Sequence, residues 1–236
     1  MNDSLSNFLF GAIGGGVVAT GFRVAETYLI APRFTESLEA RKKLFLYASP
    51  LSHAGHELRY RLHAIHSQLP QSAEIRAALS HSPRAIASID WFTKTGYFIT
   101  STAYLISLTS AWIQLYERDV VFLKFGRKSL TRQFFKLIEQ FKTDLSSRSS
   151  ILWFYYINGL GEQLIHADKN RPLAFSEFTY KLYQDPLFRD YYDQLFVFLN
   201  QVGNGEHLDT IRDTLRTLEA IHQFLEQNRI TIPMQS

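Results

Sequence analysis

From residue 51 onward, apolar and polar positions alternate with the period of an amphipathic helix. Leu51, Ala54, Leu58, Leu62, Ile65 and Leu69 recur at three- and four-residue steps, which aligns them in one stripe, and Pro70 ends the run. A second register, Leu208, Ile211, Leu215, Leu218, Ile221 and Leu225, predicts an amphipathic closing helix over 206–227. Between these lie a short helix around Ala73–Leu79 and helices near 129–145, 151–167, 175–184 and 187–201. They are punctuated by Ser82-Pro83, Asp185-Pro186 and Gly203-Asn204-Gly205. No strand-like alternation of any length and no internal repeat is present. The predicted fold class is all-α.

Residues 97–116, YFITSTAYLISLTSAWIQLY, carry no charge. Seven of the twenty are Ser, Thr or Gln. Hydroxyls can bond back to their own helix, but such a segment is a weak membrane span. A central helix buried on most sides fits better. It should run on through Glu117, Arg118 and Asp119 to Phe125 and stop at Gly126.

The N-terminus breaks the pattern. Phe8 to Phe22, FLFGAIGGGVVATGF, is charge-free, and extending to Leu5 gives eighteen residues. At 1.5 Å per residue these span roughly 27 Å, close to a bilayer core of about 30 Å. A cleaved signal peptide would need a basic start, but Asp3 is the one charged side chain ahead of the run. A soluble core helix would not normally carry Gly11, Gly14, Gly15 and Gly16, at about 1 kcal/mol each relative to Ala. A membrane helix tolerates them, because Gly lets backbones approach closely. Gly11, Gly15 and Ala19 recur every four residues and form one small-residue face, the spacing that favours helix pairing in lipid. Arg23 marks the membrane interface. Arg33, Arg41, Lys42 and Lys43 follow it, with no basic residue before the span, so the C-terminal domain is expected inside the cell.

The expected organisation is an N-terminal transmembrane helix over 1–31 and a connecting stalk over 32–50, between Pro32 and Pro50. The stalk stretch RFTESLEARKKLFLY reads as a helix of its own, with Glu36 and Glu39 early and Arg41, Lys42 and Lys43 late. A multi-helix bundle over 51–228 and a tail over 229–236 complete the organisation. Expected partners are the lipid bilayer, further copies of the chain in a homo-oligomer, and a cytosolic protein. The expected location is the inner membrane, single-pass, with the bundle cytoplasmic.

Composition narrows the chemistry. The chain has 236 residues, 46% apolar and 14% aromatic, which excludes wholesale disorder. A net charge of +3, without a long basic run, is a weak footprint for a nucleic-acid partner. Cysteine is absent, which rules out disulfides and thiolate catalysis. No phosphate loop, metal motif or cofactor motif is present, so no cofactor and no metal are expected. Gly14-Gly15-Gly16 lacks a following Lys-Ser/Thr. Asn158-Gly159-x-Gly161-Glu162 lacks a nucleophile, and Glu162 with His166 reads as a surface pair.

Four histidines, His53, His56, His63 and His66, share an arc of roughly 140° on the 51–69 helix, opposite the leucine stripe. They read as a solvated or partner-facing stripe, with a protonation-sensitive contact or a metal site as alternatives. Arg61 with His66, and Arg76 with His81, repeat an Arg-x4-His spacing; Arg59 to His66 and Arg216 to His222 fall within the same range. Arg-x4–6-His is the signature of the HEPN ribonucleases, in which His serves as acid/base and Arg faces the phosphate. Residues five apart diverge by about 140° on a regular helix, so no catalytic residue is assigned and these four stand as an alternative.

LRYRLHAI at 58–65 and STAYLISLTSAWIQLYERDVVFLKFG at 101–126, after the apolar start, make the chain resemble a family of uncharacterised bacterial proteins of similar length. The resemblance implies an apolar N-terminal helix before a helical domain, and no known activity. His63 stands where that family's pattern has an aromatic. In layout and in the Arg61/His66 spacing the chain is also similar to the membrane accessory protein of type VI CRISPR systems. That likeness implies a HEPN-like domain behind one span and assembly as a ring-shaped pore.

Overall fold

The computed structural model describes residues 31–80, 89–120, 128–146 and 151–228. Within them the chain is all-α: nine helices and no strand. The helices are α1 (Ala31–Gln68), α2 (Ala73–Leu79), α3 (Asp90–Thr93), α4 (Tyr97–Val120), α5 (Lys128–Leu145), α6 (Phe154–Leu164), α7 (Phe175–Gln184), α8 (Pro186–Gly203) and α9 (Leu208–Gln227). Contacts divide the chain into Met1–Lys43 and Leu44–Ser236. In the first unit only the opening of α1, residues 31–43, is described.

The stripe expected from residue 51 begins earlier than its punctuation suggests. α1 continues through Pro50, which removes one donor from the ladder without ending the helix. Ala48 and Leu51 on either side of the proline are buried, together with Ala54, Leu58, Leu62 and Ile65. Burial of this continuous apolar edge offsets the cost of an interior proline, about 3 kcal/mol.

α4 is the central helix. Ile99, Ala103, Ile106, Ala111, Ile113, Leu115 and Tyr116 are fully buried, and so are Thr100, Thr102 and Ser107. The hydroxyls are accommodated by bonding one turn back. Thr102 donates to the Phe98 carbonyl (2.7 Å), Ser107 to Ala103 (2.9 Å), Thr109 to Leu105 (3.0 Å) and Ser110 to Ile106 (3.0 Å). Self-satisfaction of these hydroxyls lets a polar-rich helix occupy a core at low cost, whereas the buried Thr100 hydroxyl has no partner. No helix among the described residues is long and apolar enough to cross a membrane.

Small side chains on α4 also set its closest neighbour. α6 packs on it more extensively than any other described pair, and Gly161 lies directly on the Ser110–Ala111 backbone. α6 is shorter than the expected 151–167 helix. It stops at Leu164 because Ile165 turns extended and pairs with Pro172 in an isolated antiparallel bridge.

The remaining helices close around this pair. α9 packs on α5 with the Phe134 and Phe224 rings stacked, centroids 5.3 Å apart. α7 and α8 meet through Phe178, Phe188 and Tyr192. Asp185 caps α8 by accepting from the Phe188 N–H (3.1 Å), with Pro186 in the first turn. Ser72 caps α2 in the same way from Ile75 N–H (3.3 Å).

Candidate functional site

The polar side of α1 is where the sequence concentrates titratable groups. Arg61 turns inward from it. Its Nη1 donates to the Phe98 carbonyl (3.0 Å), Ser101 Oγ (2.8 Å) and Thr102 Oγ1 (3.2 Å), and its guanidinium stacks 4.4 Å from the Phe98 ring centroid. Burial pushes the guanidinium below its ordinary value, against the opposing influence of Tyr97 and Glu57. Arg61 thus ties α1 to the first turn of α4. We expect Arg61→Ala to cost about 2 kcal/mol, since it removes three hydrogen bonds to the first turn of α4 and strips the stacked Phe98 face. A denaturant midpoint read by circular dichroism checks this, and a change below about 0.5 kcal/mol would contradict the anchoring role.

His66 lies half-buried in the last turn of α1. Arg76 is exposed, and its Nη2 points at the Leu69 (3.4 Å) and Pro70 (3.5 Å) carbonyls, closing the turn after α1. His81, Gly11, Gly15, Ala19 and Arg23 lie outside the described residues. Of the alternative Arg/His set, then, the two described arginines address backbone carbonyls of their own chain.

The histidine stripe is split. His53 and His63 are exposed, as a solvated stripe would be. His56 is half-buried, because α9 lies alongside and brings His222 to face it, ring centroids 5.8 Å apart and tilted by 51°. An ion pair between Arg59 and Glu219 flanks the two rings.

Three polar constellations lie outside the positions the sequence singles out. In the first, Tyr47 of α1 donates a hydrogen bond to Asp119 of α4, whose carboxylate also accepts from Asn170 Nδ2 (3.2 Å) and Arg118 Nε (2.9 Å). Burial pushes the Asp119 carboxyl up, but the bonds from Arg118, Tyr47 and Asn170 outweigh it and hold it at about 2. Burial, then the same Asp119 bond, pushes the Tyr47 hydroxyl up. Asn170 sits at φ 47°, the left-handed region asparagine tolerates, which aims its amide at Asp119.

In the second, Arg171 grips Glu177 with two bonds (2.8 and 2.9 Å) while Glu177 accepts from the Ala174 N–H (2.7 Å). These bonds, Arg171 first, hold the Glu177 carboxyl at about 2 and cap α7. In the third, Lys142 of α5 is buried and bonds both oxygens of Glu117 of α4 (2.9 and 2.8 Å).

Each of these three is internally satisfied and joins two or more segments of the bundle. None presents a nucleophile beside a base. Among the described residues no cluster of three His, Asp or Glu side chains is arranged to hold a metal ion. Glu162 and His166 do not form a pair here: His166 Nδ1 accepts from the Asp168 N–H (3.2 Å) in the 165–172 loop. No family model, curated protein or solved structure matches the chain.

Proposed function

We propose that the chain is a membrane-anchored helical protein that self-assembles through Gly11, Gly15 and Ala19. In this account its bundle is a non-enzymatic interaction or pore-like module. The observation that carries the proposal is the run Phe8–Phe22, charge-free and glycine-rich in a way that favours a helix in lipid over one in water. Arg23 and the later basic residues orient it with the bundle cytoplasmic and the chain single-pass in the inner membrane. The internal satisfaction of Arg61, Asp119, Glu177 and Lys142 supports a structural rather than a catalytic bundle. A ring of such helices turns Phe10, Ile13 and Val17 toward lipid or a lumen.

Replacing Gly15 with Leu puts a branched side chain on the pairing face. The expected outcome is loss of the oligomer in detergent, read by light scattering after size exclusion, with the bundle's circular dichroism intact. An unchanged oligomer would contradict assembly through this face. RNA cleavage by the purified protein, abolished by His66→Ala and His81→Ala, would contradict the non-enzymatic assignment.

A further inference from the structure

His56 and His222 bring two titratable rings together inside the bundle. They come from α1 and α9, the residues lying 166 positions apart in sequence, and their rings face each other at 5.8 Å between centroids. The Nδ1 of each ring is shielded from solvent and has no hydrogen-bond partner. At His222 the other nitrogen is engaged, with Nε2 3.3 Å from Glu226 Oε1. A buried ring nitrogen with no donor to satisfy it is tolerable as a bare lone pair. It is far costlier as an N–H⁺ with no acceptor, set beside a second ring of the same charge.

We propose that His56 and His222 form a pH-sensitive latch between α1 and α9, closed while both imidazoles are uncharged and loosened when acid charges them.

The charged groups around the pair fix the sign. From α9, Glu226 favours a charged His222, and Glu219 is neutralised by Arg59 of α1. From α1, the exposed His53, one turn from His56, offers it no counter-charge, and Arg59 is held by Glu219. α5, which packs on α9, contributes Asp144, but its Oδ2 accepts from Thr217 (2.6 Å) and its Oδ1 from Gln140 (2.6 Å). One carboxylate, itself half-exposed, therefore faces two rings, and the second proton has no counter-charge. The opened chain takes up protons that the closed seam excludes. Stability of the seam is thus full at neutral pH and is lost as pH falls through the ordinary imidazole range near 6.5. Each excluded proton raises the opening constant about tenfold between pH 7.5 and 5.5.

Hydrogen exchange of the full-length protein, corrected for intrinsic rates, tests this. Peptides covering 51–65 and 211–225 should open about tenfold more at pH 5.5 than at 7.5, with α4 and α6 peptides steady as an internal reference. His56→Gln and His222→Gln should each cut that acid response to under threefold. An acid response absent in the wild type, or retained in the double variant, would overturn the latch. A second readout needs no substitution: deuterium exchange at the imidazole carbon between the ring nitrogens follows protonation. While the seam stays closed, His56 and His222 should not both take up a proton between pH 7.5 and 5.5. A full titration of both His56 and His222 with the fold intact would also overturn it.

Discussion

Gly161→Ala should destabilise the bundle by about 3 kcal/mol. On an exposed helix face the same change gains up to about 1 kcal/mol, because alanine is the better helix former. Here the sign inverts. A Cβ on Gly161 would stand 2.7 Å from the Ser110 carbonyl carbon and oxygen and 2.9 Å from the Ala111 nitrogen. These are backbone atoms inside α4, so no side chain can swing away, and α6 must shift off its principal neighbour. For a chain of this size the loss corresponds to a melting temperature lower by roughly 6–12 °C. Gly55→Ala is the matched control. Its Cβ would meet only Leu218 Cδ2 at 3.7 Å, an ordinary contact, so that variant should melt within a degree or two of wild type or above it. Equal effects at the two glycines would contradict the close α4–α6 approach.

Lys142→Met should cost about 3 kcal/mol, although it places an apolar side chain of similar length in a buried site. Lys142 is 5% exposed and its ammonium spans both oxygens of Glu117, a side chain only 25% exposed. Removing the cation leaves that carboxylate facing the α4–α5 interface without a counter-charge. Adding Glu117→Leu should recover most of the loss, since a buried pair replaced as a whole by apolar residues is often near neutral. A double-mutant cycle on denaturant midpoints reads the coupling directly. Additive single effects would show that the two groups do not depend on each other.

These two predictions also mark what the amino-acid pattern reveals and what it hides. The helix over Ala73–Leu79 and the 175–184 helix have the expected bounds, because capping and breaking residues sit at their ends: Ser72, Glu177 and Asp185-Pro186. α4 is legible as a buried central helix from its uncharged length. The helix start expected at 51 is not observed, because Pro50 can be carried inside α1 where an apolar edge continues past it. The four-residue α3 has too short a period to register in any hydrophobic pattern.

Site chemistry is less legible still. Glu117 and Lys142 are 25 positions apart, Tyr47 and Asp119 72, and nothing local to any of them encodes the partner. The histidine stripe is visible, but which histidine leaves solvent depends on where α9 docks, and that long-range fact is settled by packing. Arg61 falls between these cases. Its spacing to His66 is readable, whereas its commitment to the α4 terminus follows only from the approach of Phe98, Ser101 and Thr102.

The central claim is that the glycine-rich segment holds the chain in a bilayer, and fractionation of cells expressing the full-length protein tests it most directly. The account predicts that the protein stays in the membrane pellet through an alkaline carbonate wash and is released by detergent as an oligomer. Recovery of the full-length chain as a monomer in the carbonate supernatant would contradict it.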